Sequence, residues 1–229
     1  MDEGTKPSAG VSGSKAILIA AAVSAVAGFG AIYLTLRGSD NARAPVAPPA
    51  VTTAGAQTAT STPSELPVKG GLAALATGQM TAFVAKAAPE ALPELIFDDD
   101  SGKAVDLKEW RGRVVLLNLW ATWCAPCLRE MPALDKLKTE LADKDFDVVA
   151  LNIDKGGTEK PKKFLRDTGI KALALYHDRE GKAFAGLKII GMPTTLLIGR
   201  DGRELGRLIG PAEWDSDDAK ALIKAAIGK

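Results

Sequence analysis

Between Val114 and Trp120 the chain reads Val-Val-Leu-Leu-Asn-Leu-Trp, and shortly afterwards it presents Cys124-Ala125-Pro126-Cys127. This junction limits the fold more than any other part of the sequence. A short, nearly continuous apolar run is the pattern of a strand buried on both faces. Pro126 fits the first turn of a helix, where a backbone N–H has no internal acceptor and its loss costs nothing. A strand running into a helix then leaves Cys124 at the helix N-terminus. Unpaired amides and the positive end of the macrodipole stabilise a thiolate there, and the thiolate is the attacking species in disulfide exchange. Cys127, one turn later, stands close enough to attack a mixed disulfide formed on Cys124.

Other readings of a CxxC exist: half a zinc site, a buried structural thiol pair, or chance. The chain has only these two cysteines and a single histidine, His177. A Cys/His zinc site of four ligands therefore cannot be filled, and a disulfide-stapled scaffold is excluded. A net charge of +1 gives no footprint for nucleic acid. No metal and no cofactor beyond the Cys124–Cys127 pair is expected.

Residues Ala16 to Leu36 carry neither charge nor proline. As a helix they would extend about 31 Å, the thickness of a bilayer's hydrocarbon core. A cleaved signal peptide has a shorter apolar region, and Pro45 follows the small-x-small site Ala42-Arg43-Ala44. The reading adopted is an uncleaved transmembrane anchor over 16–36, preceded by a short cytoplasmic tail, 1–15. Lys6 and Lys15 before the segment balance Arg37 and Arg43 after it, so charge leaves the orientation open. Residues 37–68 are rich in Ala, Pro and Thr and lack apolar periodicity, which reads as a flexible tether.

Residues 69–229 read as one α/β domain. Leu72, Leu75, Met80 and Phe83 suggest a short helix interrupted near Gly78. Leu95–Phe97 and Ala104–Leu107 flank Asp99-Asp100-Ser101-Gly102-Lys103, a hairpin. Further strands are expected over Val148–Ile153, Leu173–Tyr176, Thr194–Ile198 and Glu204–Ile209, with helices over Glu159–Thr168 and Asp217–Ile227. Such alternation implies helices packed on a sheet.

Trp120-Ala121-Thr122-Trp123-Cys124-Ala125-Pro126-Cys127, Pro132 and Gly191-Met192-Pro193-Thr194 together resemble the thioredoxin superfamily. The resemblance runs from about Pro89 to Gly228. It implies a thioredoxin-like fold, a kink at Pro132, and a cis bond at Met192–Pro193 facing the cysteines. It also implies that Trp123, Pro126, Met192 and Pro193 contact an extended substrate strand. The anchor, the tether, the hairpin ahead of the first buried strand and a central insertion within Lys155–Lys188 are similar to the TlpA, ResA and CcmG group. Membership implies a reductant outside the cytoplasm, held by the inner membrane, single-pass, with its C-terminal domain in the periplasm. The implied electron donor is a membrane thiol relay. The implied substrates are oxidised periplasmic proteins: a copper chaperone, cytochrome oxidase subunit II or apocytochrome c. Thr194 and Thr195 follow Pro193 where the cytochrome-maturation branch carries an acidic residue, which favours TlpA and copper-site assembly.

Thioredoxin places a buried Asp where this chain has Asn118, and a Lys where it has Ala150. Losing both together avoids leaving one charge stranded in the core. A proton acceptor for Cys127 must then lie elsewhere. Glu130 is one turn beyond Cys127, at the edge of the apolar stripe Cys127, Met131, Leu134, Leu137 and Leu141, and is the residue expected to act as acid/base. His177, beside Asp178 in a polar turn, is read as a surface residue. Alternatives of other classes are a DsbA-like oxidant, a copper-delivery protein and a thiol peroxidase. Ala125-Pro126 resembles reducing members; no third soft ligand is evident for copper; Ala121 occupies the position where a peroxidase has Thr.

Overall fold

The computed structural model describes residues 71–228. The tail 1–15, the anchor 16–36 and the tether 37–68 lie outside the described residues; among the described residues no helix is long and apolar enough to cross a membrane.

Strand β1 spans Phe83–Ala91, β2 Ile96–Asp98, β3 Ala104–Asp106, β4 Val114–Trp120, β5 Phe146–Asn152, β6 Tyr176–His177, β7 Thr194–Ile198 and β8 Arg203–Ile209. Helix α1 spans Ala125–Leu141, α2 Glu159–Asp167, α3 Lys182–Gly186 and α4 Asp217–Ile227. The strands form one sheet in the order β1-β8-β7-β4-β5-β6-β2-β3. Every residue of β4 is buried. It pairs in parallel with β5 along its whole length and antiparallel with β7 on its other side.

Because side chains alternate along a strand, β4 divides the interior into two layers. Val114, Leu116 and Trp120 join Met131, Leu134 and Leu137 of α1 and Leu222 and Ile223 of α4. Val115, Leu117 and Leu119 join Phe97, Trp110 and, from α3 and beyond, Ala183, Leu187 and Ile189. The expected stripe on α1 faces the first layer, with Leu141 only half-buried at its end. Pro132 lies within α1, where it withdraws the amide that would pair with the Leu128 carbonyl.

Three local expectations are corrected. Leu72 to Phe83 is not a helix but two 3₁₀ turns, Gly71–Leu75 and Gly78–Met80, followed by β1. Gly78 has φ 53°, and a Cβ there would run into the Asp218 carboxylate, which accepts from the Gln79 amide at 3.0 Å. The strand expected over Leu173–Tyr176 shrinks to Tyr176–His177. The preceding amides of Lys171, Ala172 and Leu173 instead donate to the Asp135 carboxylate of α1 at 3.1, 2.7 and 2.9 Å, which holds the segment as a loop. His177 is not a surface residue: it is 4% exposed, and its Nε2 donates to the Asp154 carbonyl at 2.8 Å. The short β6 wedges between Asn152 of β5 and Asp98 of β2, and that burial comes from partners distant in sequence.

Candidate active site

Parallel pairing of β4 with β5 and antiparallel pairing of β4 with β7 bring three chain segments to one end of the sheet. Leu119 pairs with Thr194, so the loop that leaves β4 and the loop that enters β7 are neighbours. The first carries Cys124; the second carries Met192–Pro193, whose peptide bond is cis. Trp120 pairs with Asn152, so the third segment is the turn after β5, which carries Asp154.

Cys124 is the N-cap of α1, and Pro126 lies in the first turn, as the sequence implies. Cys124 and Cys127 form a disulfide. The Cys127 amide donates to Cys124 Sγ at 3.3 Å, so a helix-end N–H points at the outer sulfur. Cys127 is wholly buried, while Cys124 retains a little exposure beside Trp123, which is 65% exposed. On the facing loop, Thr194 Oγ1 donates to the Gly191 carbonyl at 2.7 Å and the Gly210 amide donates to the Pro193 carbonyl at 2.9 Å. Ile190 just before it is 83% exposed. Exposed apolar side chains next to a redox pair are suited to an apolar polypeptide segment.

Glu130 lies deeper than the edge position expected for it: it is 4% exposed. Its Oε1 accepts from Asn118 Nδ2 at 2.7 Å, and its Oε2 accepts from the Ala212 amide and from Trp214 Nε1, both at 3.2 Å. Burial pushes its carboxyl up to about 7 from 4.5, against the opposing pull of the three hydrogen bonds. Asn118 Nδ2 also donates to Thr195 Oγ1 at 2.9 Å, which leaves Asn118 Oδ1 buried without a partner. Turning the Asn118 amide over would place that oxygen where it can accept from a protonated Glu130 and from the Thr195 hydroxyl, since an amide offers a donor and an acceptor end. Asn118 can thus serve both protonation states without itself taking up or releasing a proton. Asn118 and Ala150 are directly paired across β4 and β5, so the two positions of the missing thioredoxin charges are neighbours.

The reading of the sequence passed over Trp214, Ala212 and Asp154. The first two are more than eighty positions from Glu130 and have no local signature. Asp154 is buried, and its carboxylate accepts from the Thr122 amide at 3.1 and 3.3 Å, which fixes the loop between β4 and Cys124. Asn152, two residues earlier, accepts from the Asp154 amide at 3.1 Å and completes a polar turn that the Asn-Ile-Asp spelling could have suggested. An Asp154→Ala variant is expected to lose about 1–3 kcal/mol of stability, because it strands the Thr122 amide. It is also expected to react more slowly with dithiothreitol; a chemical-denaturation curve and a stopped-flow trace that match the parent would remove Asp154 from the site. Among the described residues no group of acids, histidines and cysteines could hold a metal ion.

The Redoxin family profile matches residues 84–223, more than half the chain. The thiol-disulfide oxidoreductase ResA of Bacillus thuringiensis subsp. konkukian is 31% identical over 118 residues, which are 52% of this chain and 67% of the relative. The thioredoxin-like protein YneN of Bacillus subtilis is 37% identical over 111 residues, 48% of this chain and 64% of its own. A solved structure of a DsbE-named thiol:disulfide interchange protein from Chlorobium tepidum shares 31% identity at a TM-score of 0.55, covering 61% of this chain and 97% of that one. The α/β architecture is therefore thioredoxin-like, with the β2–β3 hairpin added ahead of β4 and the segment from α2 to α3 between β5 and β7. With its Cys124–Cys127 pair at the head of α1, the chain belongs to the Redoxin family as a thioredoxin-like thiol–disulfide oxidoreductase of the ResA and CcmG type.

Proposed function

We propose that this chain reduces disulfides in other proteins outside the cytoplasm, held at the inner membrane by residues 16–36, and that its substrates are cysteine pairs of copper-site assembly. The observation that carries the exchange reading is the pairing of a helix-end amide with Cys124 Sγ and a buried carboxyl one turn beyond Cys127; the reducing direction rests on Ala125-Pro126 between the cysteines, which resembles reducing members. In the reduced state Cys124 attacks one sulfur of a substrate disulfide, and the other substrate sulfur leaves as a thiolate. Cys127 then gives its proton to Glu130 and attacks Cys124 Sγ, which expels the second substrate thiolate and closes the Cys124–Cys127 disulfide. Two electrons pass to the substrate, and two electrons from a membrane thiol relay restore the dithiol. Trp123, Pro126, Met192 and Pro193 are the surface on which the substrate segment lies. Thr194 and Thr195 after Pro193, in place of an acidic residue, are what favour copper-site cysteines over those of apocytochrome c.

The deciding measurement is the reduction potential of the pair, by equilibration with a glutathione or dithiothreitol buffer. A reductant is expected near thioredoxin's value of about −270 mV. A result near the DsbA value of about −120 mV would reverse the direction of electron flow and remove the proposal.

A further inference from the structure

The two ends of strand β8 are treated differently by its neighbour β7. Leu197 pairs with Gly206 and Ile198 with Glu204, so Leu205 is an extra residue, a β-bulge. Residues three apart in a regular strand point to opposite faces. The bulge cancels that alternation: Glu204 and Arg207 both fall on the face that carries Leu196 and Ile198, the layer of α3. There Arg207 Nε and Nη2 donate to Glu204 Oε1 and Oε2, both at 2.6 Å, a bidentate pair in which the carboxylate is wholly buried.

The remaining arm of the guanidinium, Nη1, donates to the Leu187 carbonyl at 2.9 Å. Leu187 caps the C-terminus of α3. The next residue, Lys188, has φ 54°, and is the one non-glycine residue in the left-handed region among the described residues. A side chain disfavours that conformation, so the surroundings must hold it. The amides of Lys188 and Ile189 donate back to Ala185 and Phe184 at 3.0 and 2.9 Å, and Ile189 is buried. Ile190 is thereby turned outward, immediately ahead of Gly191-Met192-Pro193.

We propose that Arg207, oriented by Glu204 through the bulge at Leu205, is a positioning residue for the substrate-facing loop 188–193, which it holds by the Leu187 carbonyl. This rests on the reading that the loop receives the substrate segment. Arg207 itself touches neither sulfur, so it governs how well a polypeptide docks and not how the thiols react.

The test uses the full chain, with insulin as the protein disulfide and dithiothreitol as electron donor. Glu204→Gln combined with Arg207→Met removes the clamp without stranding a buried charge. It is expected to raise KM for insulin about tenfold, the worth of one well-placed hydrogen bond, while kcat and the reduction potential stay as in the parent. Arg207→Lys keeps the charge beside Glu204 but has no planar fork to span both partners; it is expected to raise KM in the same sense, and it carries the test if the double variant does not fold. Ile190→Asp, on the exposed tip of the loop, checks the underlying reading. If Ile190→Asp raises KM and neither Arg207 variant does, the clamp is only structural and the inference is overturned while the docking loop stands. If Ile190→Asp leaves KM unchanged, both fall.

Discussion

Replacing Glu130 with glutamine is expected to make the protein more stable above neutral pH and slower as an oxidoreductase. The sign follows from the direction of the shift. Burial raises the folded-state pKa of Glu130 to about 7 from 4.5, so the folded protein keeps a proton that the unfolded chain releases. Below about pH 4.5 both states hold the proton and this group costs nothing. As pH rises from there through about 7 the folded state is progressively penalised, by about 3 kcal/mol once both states are ionised. Glutamine has no such penalty. It also fits: its amide nitrogen can donate to Asn118 Oδ1 after the Asn118 amide turns over, and its oxygen can accept from Trp214 and Ala212. The gap in unfolding free energy between Glu130→Gln and the parent should therefore widen by about 3 kcal/mol between pH 4.5 and pH 8. The resolving step loses its proton acceptor, and the exchange rate at neutral pH should fall by about 10²-fold and lose its inflection near pH 7. Denaturant melts and stopped-flow exchange across that pH range read both effects. A parallel stability profile together with an unchanged rate would leave Glu130 as a plain core residue.

Cys127→Ala is expected to trap the protein on its substrate. Cys124 remains at the head of α1 and attacks as before, but no inner thiol is present to release the mixed disulfide. Release must wait for an outside thiol, and losing a positioned intramolecular nucleophile should slow turnover by on the order of 10³-fold or more. Intact-mass analysis should find a covalent adduct with the substrate. Cys124→Ala should give no adduct and no turnover, because Cys127 is wholly buried. If Cys127→Ala fails to accumulate adduct while Cys124→Ala does, the two roles are exchanged.

What could be read from the sequence was what local rules decide. The buried strand β4, the start of α1 at Cys124 and the span of α4 all follow from apolar runs, a first-turn proline and capping residues. The β7–β8 hairpin follows from Gly199-Arg200-Asp201-Gly202. What could not be read depends on partners far along the chain. Phe83–Ala91 contains Lys86, Pro89 and Glu90, and is a strand only because β8 lies alongside. Glu130 was legible as a residue near Cys127, but its depth is set by Ala212 and Trp214 closing over it. His177 read as polar and exposed until β5 and β2 enclosed it on both sides.

Strand β1 also bears the features by which sheet proteins guard an edge. Among the described residues it is one border of the sheet, and β3, at three residues, is the other. A long border strand with free backbone groups invites another chain to zip onto it, a route to insoluble fibrils. Here the pairing with β8 breaks register between Ala85 and Glu90, Pro89 withdraws a donor within the gap, and Lys86 and Glu90 add charge. The longer rim is thus interrupted and the shorter one offers little length, two features that work against edge-to-edge pairing.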